Sequence, residues 1–224
     1  MNIQLLDGHY NLYPLHITLD VFKDDRGAFF EAWRDAYGFD FIVPVQSNVS
    51  ISNKGTLRGM HFQVSTPQSK LLTVLNGGII DFWIDIRPSS PTFSKFAFKP
   101  VKQGEAIFIP KGFAHGFLSL EDNTIVNYLV DHCRVAANER IINAFDELIL
   151  PTEENKYGVS CSIKSEIEQA IAFFQIKDIQ MSEKDKSARF LNEYSEDELF
   201  NVGGDKMTWK GELTPYDVHK RYSK

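Results

Sequence analysis

Between residues 15 and 150 closely spaced turn signals cut the chain into short segments, and that rhythm limits the fold more than any other feature. Turns are signalled at Asp24-Asp25-Arg26-Gly27, Asn53-Lys54-Gly55, Asn76-Gly77-Gly78, Pro88-Ser89-Ser90-Pro91 and Pro110-Lys111-Gly112. The intervening segments read as strands at 16–22, 28–33, 46–52, 71–76, 78–86, 93–99, 105–109, 116–119 and 124–131. A further strand after the Asn53-Lys54-Gly55 turn presents Arg58, His61 and Gln63. So many short strands with few helical stretches imply an antiparallel sandwich or barrel. The 18 phenylalanines among 224 residues suit an aromatic interior, and 43% hydrophobic residues supply a sizeable core.

After Pro151 the pattern changes. Residues 165–174 place Ile167, Ala170, Ile171 and Phe174 at helical spacing, and Ser165 with Glu168 resembles a capping box. Residues 180–200 are charged with a weak helical period, and 201–224 mix aromatics with charges without one. The chain therefore reads as a β domain over 1–151 and a helical, irregular region over 152–224, packed on the β domain or used in assembly.

Net charge is −6 with acids and bases interspersed, which argues against a nucleic-acid surface but leaves room for a small anionic ligand. Cys133 and Cys161 are too few for a disulfide framework or a zinc cluster, and the expectation is two free thiols. The first fifteen residues carry neither a basic region nor a long apolar run, and no window reaches the ~18 apolar residues of a membrane span. The expectation is a cytoplasmic protein.

A cation and an imidazole three residues apart, Arg58 and His61, can remove a proton from carbon and hold the resulting charge. Strand spacing alone leaves His61 open to a second reading, an ordinary half-buried histidine. At an odd separation, moreover, Arg58 and His61 share a face only if twist or a bulge brings them together. Lys70 follows a short loop, and His115 lies in Pro110-Lys111-Gly112-Phe113-Ala114-His115-Gly116-Phe117, a tight corner beside a pocket.

Six motifs occur in order: Asp25-Arg26-Gly27-Ala28-Phe29-Phe30-Glu31, Gln46-Ser47-Asn48-Val49-Ser50, Lys54-Gly55-Thr56-Leu57-Arg58-Gly59-Met60-His61-Phe62-Gln63, Gln68-Ser69-Lys70-Leu71, Asp85-Ile86-Arg87 with Ser90-Pro91-Thr92-Phe93, and the segment 109–117. Together they closely resemble the dTDP-4-dehydrorhamnose 3,5-epimerase family over residues 10–150, and Met181-Ser182-Glu183-Lys184-Asp185 resembles that family's tail motif after an insertion. The resemblance implies a cupin-like jelly roll (a double-stranded β-helix) without metal or cofactor. It implies a homodimer with an exchanged N-terminal strand, acting on a nucleotide-diphosphate 4-keto-6-deoxy sugar. A metal reading has little support: where many cupins carry a His-x-His pair, this chain has His61-Phe62-Gln63.

Carried over residue by residue, the resemblance makes His61 the base, Asp146 its carboxylate partner and Tyr128 the acid on the opposite sugar face. It makes Lys70 and Arg58 the cations near the keto oxygen and phosphates, and His115 a pocket histidine. Arg26, Phe29, Glu31, Gln46 and Asn48 become nucleotide or sugar contacts, some reaching across the dimer. Inversion beside a ketone needs such a set: a base, a sink for the enolate charge and a proton donor on the other face.

The chain departs from the family after Tyr128. A run ending in two tyrosines becomes Leu129-Val130-Asp131-His132-Cys133-Arg134, residues 152–178 are inserted, and 195–224 extend past the usual end. These changes leave open inversion at C3, C5 or both, a C3-only epimerase, a ketoisomerase of related cupin type, and a non-catalytic sugar-nucleotide binding module.

Overall fold

The strand β8 (Gly78–Asp85) is buried at every position, so both of its faces must be covered. Its odd residues Ile79 and Trp83 join Leu72, Val74, Ile107, Phe117 and Val126 in one apolar cluster. Its even residues Ile80, Phe82 and Ile84 join a second cluster with Ile167, Ala170, Ile176, Leu191 and Leu199 from the C-terminal region. The first cluster is the space between two sheets, and the second is the outer face of one sheet, roofed by chain from beyond residue 163.

The computed structural model describes residues 2–5, 14–34, 42–90, 92–146 and 163–199. One sheet has six strands in the order β1 (Asn2–Leu5), β2 (Leu15–Thr18), β10 (Glu105–Ile109), β7 (Lys70–Asn76), β12 (Thr124–Val130), β5 (Gln46–Ser52). The other has five: β13 (Glu139–Ile141), β6 (Leu57–Gln63), β11 (Phe113–Ser119), β8, β9 (Phe96–Lys102). A hairpin of β3 (Phe22–Asp24) and β4 (Gly27–Phe29) stands apart. Neighbouring strands are antiparallel in both sheets. This is the cupin-like jelly roll expected from the resemblance.

Most of the predicted strands hold, but the one expected at 93–99 is shifted to β9 (Phe96–Lys102), the one expected at 116–119 already begins at Phe113, and the first two shorten. Residues 16–22 divide between β2 and β3, and the segment from Ala28 stops at Phe29, leaving Trp33 to pack on the cluster of Leu15, Ile17, Ile42 and Phe108. The strands β1 and β13, at four and three residues, are too short to announce themselves by alternation.

The C-terminal region forms α1 (Ile163–Phe173), α2 (Glu183–Lys186) and α3 (Glu196–Leu199). Helix α1 begins two residues before Ser165, so Ser165 does not cap it. The Ser165 hydroxyl instead accepts from Gln169 Nε2 at 3.2 Å, one turn on. Parallel bridges Thr56–Gln180 and Ile142–Arg189 tie the region to the sheet. Residues 147–162 and 200–224, which hold Cys161, much of the insertion and most of the C-terminal extension, lie outside the described residues, as do 6–13 at the N-terminus. Among the described residues no helix is long and apolar enough to cross a membrane.

Candidate functional site

The site begins with a phase shift in β6. Across β11, His61 is paired with His115 and Arg58 with Phe117, so three steps on β6 oppose two on β11. The extra residue is a bulge at Gly59-Met60, and it turns an odd separation into a shared face: Arg58 and His61 are half-buried, while Leu57, Met60 and Phe62 go into the apolar cluster behind. The bulge expected from the Arg58–His61 spacing is present. Two glycines make room for it. A Cβ on Gly116 would sit 2.4 Å from the Arg58 carbonyl oxygen, and one on Gly59, where φ is +108°, would meet Gly116 Cα and the His115 oxygen at 2.6 Å.

Arg58 and His61 open on a cavity of about 260 Å³ lined also by Asn48, Lys70, His115, Tyr128, Arg134 and Glu139. It lies between the sheets, so His61 on β6 and Tyr128 on β12 stand on opposite walls. His61 Nε2 lies 2.6 Å from Asp185 Oδ1, and a carboxylate only accepts, so Nε2 carries the hydrogen and donates. Burial works to raise the Asp185 carboxyl, but the His61 ring and the Ser182 hydroxyl outweigh it and hold it below its ordinary value.

The ammonium of Lys70 lies beside this pair and donates to the His61 carbonyl oxygen at 3.2 Å. Burial pulls its pKa down to about 8, against the attraction of Glu139 and Asp81. Tyr128 is held by Ser50, with 3.2 Å between hydroxyls, and by the Phe117 ring at 6.5 Å. Burial pushes its phenol well above the ordinary value, so the proton stays on. His115 is buried with Nε2 2.7 Å from Asp81 Oδ2, and burial lowers the histidine and raises the aspartate. Arg58 Nε donates to Ser52 Oγ at 3.1 Å.

Of the residues singled out from sequence, His61, Lys70, Tyr128, Arg58, His115 and Asn48 line one cavity. Gln46 stands just behind, its amide donating to Asn48 Oδ1 at 2.7 Å. Asp146 requires a correction. Its Oδ2 accepts the Leu191 backbone N–H at 2.7 Å, buried on the roof of the five-stranded sheet, and the place at His61 is taken by Asp185. Nor do Arg26, Phe29 and Glu31 line this cavity. Arg26 forks onto Asp24 on the separate hairpin, Glu31 holds Arg34, and Phe29 is 66% exposed. Residues 124 apart in sequence, His61 and Asp185, cannot be paired by spacing. The signal for Asp185 is Ser182 three positions before it, a cap whose hydroxyl accepts the Asp185 N–H and fixes the turn. Glu139 and Arg134 were also missed, although both line the cavity.

A family model described as dTDP-4-dehydrorhamnose 3,5-epimerase matches residues 14–193. The chain belongs to this family. A dTDP-4-dehydrorhamnose 3,5-epimerase of Methanothermobacter thermautotrophicus is 40% identical over 129 residues, which is 55% of this chain and 66% of that one. The chain thus matches just under two thirds of that relative's length. Among solved structures, a dTDP-6-deoxy-D-glucose-3,5-epimerase from Legionella pneumophila in complex with dTDP-4-keto-L-rhamnose is similar with a TM-score of 0.70. Its identity is 27%, over 90% of this chain and 99% of that one. A 3'-monoepimerase from Streptomyces bikiniensis in complex with dTDP-quinovose is similar with a TM-score of 0.62 and 26% identity, over 80% and 84%. Membership agrees with the folded site, because four of the six ordered motifs, 46–50, 54–63, 68–71 and 109–117, contribute residues to the cavity.

Proposed function

We propose that the chain is an isomerase that inverts C3, C5 or both in a nucleotide-diphosphate 4-keto-6-deoxy sugar. The observation that carries this reading is His61, bound to Asp185, facing Tyr128 across one cavity with Lys70 at its side. With hydrogen on Nε2, His61 keeps its lone pair on Nδ1 and takes the proton from the carbon beside the ketone. Asp185 holds that tautomer and stabilises the imidazolium. Electrons from the broken C–H bond move to the keto oxygen, where the Lys70 ammonium stabilises them. Tyr128, on the opposite wall, returns a proton to the other face, which turns exchange into inversion. Arg58 and the polar groups on β5 take the diphosphate and nucleoside.

The relatives named above act on or hold dTDP-linked sugars, and we assign the same substrate class here. We further propose a homodimer. The hairpin carrying Arg26 and Phe29 contributes nothing to the lining of its own cavity, and the outer face of β5, an edge strand, exposes Val49 and Ile51 beside Val43 and Val45. A partner on that face would cover these residues and receive the hairpin in its own site. A cytoplasmic location goes with this substrate class.

The test is incubation with dTDP-4-keto-6-deoxy-D-glucose in heavy water, followed by NMR. Deuterium appearing at C3, C5 or both is the expected result, and which carbon inverts is read from the product. No exchange at either carbon, with dTDP or other nucleotide ketosugars, would overturn the assignment. Replacing Asp185 with Asn should cut the exchange rate by about 10²–10⁴. Asp146→Ala should leave the rate per folded molecule unchanged and reduce stability by about 1–3 kcal/mol, through the lost partner of the Leu191 N–H. The opposite pattern would return the catalytic carboxylate to position 146.

A further inference from the structure

Arg134 stands where the family's run ends in tyrosine, and its new bonds are specific. Its backbone N–H donates to Gln46 Oε1 at 2.9 Å, on the edge of the six-stranded sheet. Its guanidinium forks onto Glu139, Nε to Oε1 at 2.9 Å and Nη2 to Oε2 at 2.8 Å, on the edge of the five-stranded sheet. Glu139 Oε2 accepts a second cation, Lys184 Nζ, at 2.6 Å. Lys184 precedes Asp185 on α2, a single turn of four residues too short to hold its shape unaided.

Isolated surface ion pairs contribute little, because solvent screens them and long side chains lose freedom. This cluster differs in two ways. The Glu139 side chain is only 10% exposed, and one carboxylate is shared by a bidentate arginine and a lysine. The Arg134 guanidinium, first, and the Lys184 ammonium hold its pKa down to about 2, so the joint stays charged throughout the working range. Glu139 pairs with Gln63 on β6, two residues beyond His61, so the brace and the imidazole hang on the same strand.

We propose that Arg134, Glu139 and Lys184 form a brace that positions Asp185 against His61. The Asp185 oxygens are divided: Oδ1 takes the His61 hydrogen and Oδ2 takes the Ser182 hydroxyl at 2.8 Å. A lateral slip of α2 carries its cap Ser182 along and breaks the bond to His61, and Lys184 resists that slip. Arg134, anchored on the far sheet, stops Glu139 from following Lys184 outward. The brace deepens the epimerase reading and rests on it for its catalytic meaning, but its geometry can be tested without substrate.

The test uses Lys184→Met, which keeps the stem of a half-exposed side chain and removes its charge. The first readout is the downfield proton resonance of His61 Nε2–H in the protein alone. The second is the rate of deuterium wash-in with dTDP-4-keto-6-deoxy-D-glucose, resolved into kcat and KM. The resonance should move upfield or broaden, and kcat should fall about tenfold to a hundredfold with little change in KM. Lys184→Arg should restore both. Arg134→Met should act in the same direction, and serves alone should Lys184→Met alter folding. The double variant should be no worse than Lys184→Met, since both act through Glu139. An unchanged resonance, a raised KM at constant kcat, or losses that multiply in the double variant would each overturn the brace. If the native protein exchanges no substrate, the epimerase reading fails while the resonance still decides the positioning.

Discussion

Lys70 shows how burial can prepare a residue for its task. An exposed lysine ammonium would be a permanent charge at any working pH. Here burial brings its pKa to about 8, so the charged form dominates below that value and is lost above it. An enolate sink must be charged, so the exchange rate should fall as pH rises through about 8. Exchange rates measured from pH 6 to 10 should show this limb, and Lys70→Met should remove it while lowering the plateau by roughly 10²–10³. The same limb persisting in the variant would assign it to another group. At this scale the sequence was legible for His61, Lys70 and His115, each in one of the six ordered motifs, and for Tyr128 by its place after them. The carboxylate was not: Asp185 closes the tail motif 181–185, but that motif returns from beyond an insertion and its spacing does not show that it meets His61. Asp146 and Asp185 are both buried and both follow the last strand, and only the fold distinguishes the one that accepts the Leu191 N–H from the one that meets His61.

At the scale of elements, the bulge in β6 is the feature on which the site turns. It exists because two backbones cross almost in contact at Gly59 and Gly116. Gly116→Ala would place a methyl 2.4 Å from one backbone atom and 3.2 Å from another, neither able to swing aside. The strands would have to part, moving Arg58 and His61 together. Unfolding free energy should fall by about 1–3 kcal/mol, with a loss of exchange rate per folded molecule. Gly78→Ala is the control: its new methyl has open space out to 3.5 Å, where it meets a side-chain oxygen of Glu121, and chemical denaturation should find it close to the native protein. Alternating polarity marks β5 clearly, since every second residue faces the cavity side and the others face outward. It marks β8 poorly, because both faces are covered, and the covering element is a helix that sequence periodicity assigned to a separate region. What a strand faces depends on elements far along the chain, and that information is absent from its own pattern.

For the whole molecule, the described C-terminal segment is at once core and site. Ile167, Ala170 and Ile176 lie before Asp185, and Leu191 and Leu199 after it, all buried against Met60, Phe62, Phe82 and Leu118 of the five-stranded sheet. Asp185 is therefore pinned on both sides by apolar burial, and its bond to His61 holds only while that roof is seated. Ile167 is fully buried, so Ile167→Ala removes apolar contact and leaves a cavity, at a cost of about 2–5 kcal/mol. If roof and sheets unfold as one, circular dichroism and exchange activity should be lost together in a single denaturant transition, shifted to lower concentration with an unchanged slope. If the roof instead detached first, activity would disappear before the β signal, because Asp185 would leave with it. The shared apolar cluster and the two bridges to the sheet favour the single transition. Coincident curves for the native protein and the variant would show that the catalytic pair draws its geometry from the cooperative fold, and separated curves would show that the region beyond residue 163 docks as an independent flap.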